Sequence, residues 1–361
     1  MEKKMLFMNM TLSAGGAERV ITNLANRFVC EDNLEIKIAT FLPRDVAYEL
    51  NDKIEVFKPS NDKKNIFNLI KNSIEVINFI NKYKPNYIIS FCPTACFFIC
   101  FYRLINKNVK NSKLIISERN NPQNEYKTKF LRMIANFLYG LADVIVFQTQ
   151  GAREFFSENV RKKGVIISNP LNNKFLSSEL NHKIKKEKAI VAVGRLHNQK
   201  NYFGLINAFK HVSNLHPEYF LNIYGEGELK NSLIDLVNEL EISDKVIFRG
   251  VSNNLEIEIP KNEIFVLNSF YEGMPNALME AMALGVPCVA TDCPCGGPRE
   301  LIQNYENGIL IPVDDEKELI IKLEELICDE KLRIKLGENA SKIVKEYNPD
   351  NIYSLWKELI N

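Results

Sequence analysis

One stretch of the chain brings together carboxylates, a glycine and the start of a helix. Phe270-Tyr271-Glu272-Gly273-Met274-Pro275-Asn276-Ala277-Leu278-Met279-Glu280-Ala281-Met282-Ala283 follows an apolar run, with Glu272 ahead of the helix and Glu280 eight positions later inside it. Gly273 gives backbone access. The peptide N–H groups from Gly273 to Ala277, Pro275 excepted, are the unpaired donors of a helix start. A carboxylate and several such donors can surround a polyhydroxyl ligand, and Glu280 can chelate the two hydroxyls of a ribose as acidic residues do in dinucleotide sites. An exposed helix with ordinary surface acids is the plainer reading, and the loop in front of it weighs against that.

A second stretch supplies positive charge. In Gly194-Arg195-Leu196-His197-Asn198-Gln199-Lys200-Asn201 an apolar run ends on glycine, and two cations stand five residues apart in a polar loop. Arg through its planar fork and Lys as a point charge can neutralise a diphosphate. Near the start, Gly15-Gly16 follows another apolar run and feeds a helix with apolar positions at Val20, Ile21, Leu24, Ala25 and Phe28. Backbone N–H groups there can approach a phosphate that leaves no room for a Cβ. A purely structural turn explains either stretch when it is taken alone.

Strands and helices must hold these loops. Apolar runs at 5–10, 35–41, 86–91, 113–118, 143–149 and 164–168 alternate with segments of helical period. A second series occupies 189–194, 219–225, 245–250, 263–269, 286–291 and 308–313. Many runs are apolar at consecutive positions, as in parallel strands covered on both faces by helices. Asn169-Pro170-Leu171-Asn172 and the polar, Lys-rich stretch 172–188 separate the two series. The organisation expected is an N-terminal Rossmann-like domain over 1–170, a second over 171–345, and a C-terminal helix over 346–361 that packs back on the first. Ligands of open α/β sheets sit beyond the carboxyl ends of the strands, so two such units facing one another enclose a cleft.

Composition excludes several classes. Lys plus Arg (46) nearly balance Asp plus Glu (45), and a net charge of +1 offers no overall field for nucleic acid. The 8 Cys are scattered, unlike a secreted disulfide scaffold, and a reducing compartment fits best. Cys92, Cys96 and Cys100 read as inert buried thiols. Cys293-Pro294-Cys295 has neither a second Cys pair nor a nearby His to make a metal site. No secretory leader is expected at the start, and no apolar run reaches the roughly 18 residues of a spanning helix.

Taken together, these segments resemble family 4 of the retaining GT-B glycosyltransferases, marked by a glycine pair after the first strand, G-R followed by K-N, and two Glu eight residues apart. The match spans nearly the whole chain. Tyr224-Gly225-Glu226-Gly227-Glu228-Leu229 and Gly296-Gly297-Pro298-Arg299-Glu300-Leu301 look like later motifs of that family, the second frequent among bacterial surface-polysaccharide members. The resemblance implies an α/β fold of two doubly wound Rossmann-like domains facing across a cleft. It implies that Arg195 and Lys200 bind the donor pyrophosphate, that Glu280 holds the ribose and that Glu272 touches the donor sugar. Backbone around Gly250-Val251 would meet the base, with Gly15 and Gly16 near the phosphates. Gly194, Gly273, Met274, Pro275, Asn276 and Ala277 complete the donor site. The family often has His after the Ser-Glu ending the run at 113–118, whereas this chain reads Ser117-Glu118-Arg119. Arg119 cannot serve as a base. Glu118, Arg119 and Arg299 are left as candidate acceptor or phosphate contacts, Arg299 equally as an ion-pair partner.

Breaking a glycosyl-phosphate bond gives the diphosphate negative charge, which a metal held by D-x-D often stabilises. No D-x-D occurs here, so metal-independent transfer is expected, with no cofactor. Retention follows from the resemblance alone. The donor expected is a UDP-linked hexose or N-acetylhexosamine, such as UDP-GalNAc, UDP-GlcNAc or UDP-Gal. The acceptor expected is a polyprenyl-diphosphate-linked glycan, handled by a cytoplasmic enzyme on the inner face of the cell membrane. Phe97, Phe98, Phe101 and Tyr102, with Arg103 and Lys107, offer a helix for an anionic membrane surface, although core packing is the commoner explanation for such residues. The basic clusters Lys63-Lys64, Lys127-Lys129-Arg132 and Arg161-Lys162-Lys163 fit the same surface or a solvated face. Two other classes remain open: a nucleotide-sugar isomerase or epimerase of similar fold, and a non-catalytic glycan- or nucleotide-binding protein. A pyridine-nucleotide dehydrogenase is disfavoured because neither half shows G-x-G-x-x-G followed by its acidic residue.

Overall fold

A computed structural model of the chain describes residues 3–13, 15–32, 34–63, 65–176 and 184–360. Ala14, Lys64 and the middle of the polar stretch 172–188 lie outside the described residues. The described chain divides into two compact units, Met1–Ser168 with Tyr353–Asn361, and Asn169–Ile352.

The first unit is built on β1 (Lys4–Asn9), β2 (Glu35–Thr40), β3 (Glu55–Phe57), β4 (Tyr87–Phe91), β5 (Lys113–Glu118), β6 (Val144–Phe147) and β7 (Gly164–Ile166). The second carries β8 (Glu187–Val193), β9 (Phe220–Tyr224), β10 (Val246–Gly250), β11 (Asn262–Leu267), β12 (Cys288–Thr291) and β13 (Ile309–Ile311). All neighbouring strands pair in parallel. Consecutive apolar residues follow from that: β4 is buried at all five positions because helices cover both faces of its sheet. Only β3 has no counterpart among the apolar runs. It is three residues long, partly exposed, and at the sheet's edge, where little burial selects its side chains.

The sheet orders are β3-β2-β1-β4-β5-β6-β7 and β10-β9-β8-β11-β12-β13. Each reverses direction once, between β1 and β4 and between β8 and β11. At such a switch point the loops leaving the two central strands turn to opposite faces and open a crevice between them. Gly15-Gly16 follows β1, Gly194-Arg195 follows β8, and the Glu272 loop follows β11. The positions that carry chemistry in the sequence are thus the loops at the switch points.

Side chains set where the helices begin. Asn65 accepts from the Asn68 amide at 2.9 Å, Thr149 from Ala152 at 3.1 Å, and Asp315 from Glu318 at 3.0 Å, each satisfying one orphan N–H of a first turn. Among the described residues, no helix is long and apolar enough to cross a membrane.

The last helix, Pro349–Glu358, delivers Trp356 to the core of the first unit. Its indole is fully buried and stacks on Phe91 at 5.7 Å, while Tyr353 lies 4.9 Å from Phe28. Tyr87 donates to the Ile360 carbonyl at 2.7 Å. Trp356→Ala should therefore cost the first unit about 3–5 kcal/mol, read from denaturant unfolding followed by circular dichroism. A loss below about 1 kcal/mol would show that the indole contributes little to this core.

Candidate active site

The second unit's site starts at Gly194, and a side chain here would collide with Lys200. A Cβ at Gly194 would stand 2.9 Å from Lys200 Cε and 3.2 Å from its Cδ. The lysine stem lies flat on this backbone, and its ammonium meets Glu272 Oε1 at 2.5 Å. Ser269 Oγ donates to the same oxygen at 2.7 Å. Among the described residues, Oε2 receives only a long 3.4 Å hydrogen bond from Gln199 Nε2, which also donates to the Tyr271 carbonyl at 2.9 Å. The ion pair is largely withdrawn from water, with side-chain exposures of 16% for Lys200 and 8% for Glu272. Sequence reasoning picked out both residues but not their pairing, nor Gln199 and Ser269.

Backbone contacts fix Glu272 from behind. Its amide donates to the Pro294 carbonyl at 2.7 Å, and its carbonyl accepts from the Cys295 amide at 3.0 Å. The Cys293-Pro294-Cys295 segment therefore clasps the loop through its main chain. Burial pushes the Cys293 thiol up to about 12, which suits a packed rather than a reactive cysteine. Among the described residues no group of three His, Cys, Asp or Glu is placed to hold a metal ion. Two glycines let neighbouring loops close on the site: a Cβ at Gly225 would be 1.9 Å from the Gly194 carbonyl oxygen, and one at Gly297 would be 1.7 Å from that of Gly273.

Arg195 is different. It is exposed, and its guanidinium has no hydrogen-bond or ion-pair partner among the described residues. The expectation of two free cations is thus refined. Lys200 arrives neutralised by Glu272, while Arg195 carries no counter-charge among the described residues.

The helix Asn276–Ala283 opens from Pro275 in extended conformation with no side-chain cap. The Leu278 and Met279 amides both turn back to the Pro275 carbonyl at 3.1 Å, leaving Asn276 and Ala277 at the unpaired start. Met274 is 6% exposed and packs in the core, which withdraws its side chain from the expected donor contact. Glu280 is equally buried at 6%, on the same helix. Asn276 is oriented by Asn169, which donates to it at 2.8 Å. Val251, after Gly250 (φ 68), is 74% exposed and presents a bare apolar surface. Arg299 forms an exposed ion pair with Asp292 at 2.5 Å, the alternative its position left open.

In the first unit the expected contacts are less available. The Gly15 amide is taken by Tyr48 Oη at 3.2 Å, and Glu18 folds back where a Gly15 Cβ would be, so Gly16 alone of the pair remains for a phosphate. Glu118 is buried and accepts from Tyr126 and Tyr139 at 2.8 and 3.0 Å. Burial pushes its carboxyl up to about 7, although the tyrosine hydrogen bonds act downward. Its oxygens serve the core. Arg119 lies over Phe91 at 4.9 Å and Trp356 at 5.7 Å, and burial lowers its guanidinium to about 9, still protonated at neutral pH. Phe97 packs on Tyr126 at 5.7 Å and Phe98 stacks on Phe41 at 5.4 Å, which leaves both rings half-buried. Arg103 pairs with Asp143 at 2.8 Å.

Residues 173–343, which contain every loop of the second unit's site, match the family model for glycosyl transferases group 1. The chain is a glycosyltransferase. It is 28% identical over 368 residues (99% of this chain, 98% of the relative) to the GalNAc-alpha-(1->4)-GalNAc-alpha-(1->3)-diNAcBac-PP-undecaprenol alpha-1,4-N-acetyl-D-galactosaminyltransferase of Campylobacter jejuni. It is 29% identical over 357 residues (92% of each) to that organism's N-acetylgalactosamine-N,N'-diacetylbacillosaminyl-diphospho-undecaprenol 4-alpha-N-acetylgalactosaminyltransferase. In fold it resembles Anabaena HepE, solved in complex with UDP and glucose, with a TM-score of 0.83, 18% identity and 99% of both chains covered. The two Rossmann-like units are those of the GT-B glycosyltransferases.

Two outcomes follow. Arg195→Ala should lower turnover by on the order of 10²–10³ without moving the melting temperature, whereas Lys200→Ala should lower both, because it strands the Glu272 carboxylate in a buried site. Steady-state kinetics and thermal unfolding read the contrast, and near-normal turnover of the Arg195 variant would remove its role. Secondly, Glu118 holds its proton when folded up to about pH 7, whereas the unfolded chain ionises in the ordinary carboxyl range. The Glu118 contribution to stability is therefore full at acid pH and falls as pH rises through about 7. Glu118→Gln should gain melting temperature relative to the parent between about pH 5 and pH 8. An unchanged gap across that range would contradict the burial of this carboxyl.

Proposed function

We propose that the enzyme transfers an N-acetylhexosamine or hexose, with retention, from a UDP-linked donor to a hydroxyl of a polyprenyl-diphosphate-linked glycan at the inner face of the cell membrane. The observation that carries the chemistry is the exposed Arg195, without a partner among the described residues, on the same loop as Lys200, whose ammonium pairs with Glu272 at the second unit's switch point. Support for the substrates comes from the Campylobacter transferases, whose names specify GalNAc transfer and undecaprenol-linked acceptors, and from HepE, solved with UDP and glucose.

In this reading the donor diphosphate lies against Arg195 and the amides of Asn276 and Ala277. As the glycosyl-phosphate bond lengthens, charge grows on the leaving oxygens, and these fixed donors stabilise it without reorganising. Glu280 chelates the ribose hydroxyls and Val251 supports the base. Glu272 Oε2, held only by the long Gln199 contact, accepts from a donor-sugar hydroxyl. Lys200 holds that carboxylate in place. The acceptor attacks from the face the diphosphate leaves, and a departing phosphate oxygen takes its proton, so no protein base is required. Protein cations fill the place a divalent ion takes elsewhere, and transfer is metal-independent.

A donor panel tests this directly. With purified protein and an undecaprenyl-diphosphate oligosaccharide, at least one of UDP-GalNAc, UDP-GlcNAc and UDP-Gal should release UDP at a rate a chelator does not change, giving an α-linked product. Loss of activity with chelator would overturn metal independence. A new sugar nucleotide formed from donor alone would replace transfer by isomerisation.

A further inference from the structure

Two loops of the second unit are joined by more than one pair of charges. The Phe270 amide donates to the Gln199 carbonyl at 2.8 Å, and Asn268 Nδ2 donates to the Asn201 carbonyl at 3.2 Å. With the Lys200–Glu272 ion pair, these contacts bind 199–201 to 268–272 almost residue by residue. None of them needs the Gln199 side chain. Its carboxamide faces two acceptors instead, the Tyr271 carbonyl at 2.9 Å and Glu272 Oε2 at 3.4 Å. They decide which end of the carboxamide points at them, because only Nε2 has hydrogens to give, one for each.

The two oxygens of Glu272 are not equivalent. Oε1 takes the Lys200 ammonium at 2.5 Å and the Ser269 hydroxyl at 2.7 Å, which fills both directions in which a carboxylate oxygen accepts best. Ser269 is fully buried, and Thr291 Oγ1 donates to its carbonyl at 2.6 Å, which fixes the hydroxyl's position. Oε2 has the Gln199 contact alone among the described residues, so one accepting direction stays open. A ligand hydroxyl that reaches Oε2 must approach along the direction Gln199 leaves. A buried acceptor aimed in this way separates ligands by geometry, since a sugar whose hydroxyl points elsewhere leaves the oxygen unpaired. GalNAc and GlcNAc differ in just that respect, in the direction of the hydroxyl at C4.

We propose that Gln199 is a positioning residue that sets the donor-sugar preference: its carboxamide aims Glu272 Oε2, while Ser269 holds the opposite oxygen so that the carboxylate cannot rotate. This role rests on the sugar-transfer reading and adds to it a residue outside the two cations and the two glutamates. Tying the loops together would not need the side chain, because the main-chain contacts of Gln199 and Asn201 already do so.

Steady-state kinetics of the full chain with UDP-GalNAc, UDP-GlcNAc and UDP-Gal, beside calorimetry with UDP alone, supply the test. Gln199→Met keeps the length of the side chain and removes its donors, and Ser269→Ala removes the hydroxyl from the other oxygen. Each should lower kcat/KM for the parent's preferred donor by about tenfold to a hundredfold, the worth of a hydrogen bond to a charged group. For the disfavoured donors the fall should be smaller, so that the preference narrows. UDP carries no sugar and should bind each variant within about twofold of the parent. Circular dichroism melts confirm that each variant is folded. An unchanged preference in both variants, a parent that does not distinguish the donors, or a loss of UDP affinity as large as the loss of kcat/KM would each overturn the role of Gln199 and leave sugar transfer standing. A parent that releases UDP from none of the three donors would instead overturn the sugar-transfer reading, and this role with it.

Discussion

The buried contact between Lys200 and Glu272 is the constraint around which the second unit's site is arranged. Two opposite charges withdrawn from water gain little net stability, but removing either strands the other at a cost of about 3–5 kcal/mol. The pair thus ties the loop after β8 to the loop after β11 across the switch point, 72 residues apart in the chain. Because Lys200 is committed to Glu272, Arg195 is the cation of this loop that has no partner among the described residues. In the proposed function, a site with one neutralised and one available cation would attract a diphosphate without holding two exposed like charges at close range.

Close backbone packing holds that arrangement. Lys200 lies across Gly194, Gly225 abuts the Gly194 carbonyl, and Gly297 abuts that of Gly273, contacts that a single methyl group would forbid. Pro294 and Cys295 grip the main chain of Glu272 on both sides. Preorganisation of this kind is what electrostatic catalysis needs, since donors already in place stabilise growing charge with no rearrangement. It also gives the Gly-Glu-Gly and Gly-Gly-Pro segments a physical reason: they are close-approach points of neighbouring loops.

Much of this was legible from residue order. Fully covered parallel strands are apolar at consecutive positions, which made every strand visible except β3, whose Glu55-Val56-Phe57 has too little burial to leave a pattern. The loops were legible because Gly, Pro, Arg and Glu directly after an apolar run have few structural uses in common. Pairings were not. That Lys200 reaches Glu272, that Tyr126 and Tyr139 enclose Glu118, and that Tyr48 takes the Gly15 amide are facts of folding between distant positions, and side-chain type alone predicts none of them. Orientation was equally hidden: Phe97 and Phe101 are one helical turn apart, yet one packs on tyrosines and the other faces solvent.

The role of Arg195 can be isolated by comparing two ligands that differ by one phosphate. In titration calorimetry with the full chain, UDP should bind more tightly than UMP by about tenfold to a hundredfold, the worth of a charge-assisted contact to the second phosphate. Arg195→Ala should remove most of that preference and leave UMP affinity nearly unchanged. An identical UDP-to-UMP ratio in parent and variant would contradict the account.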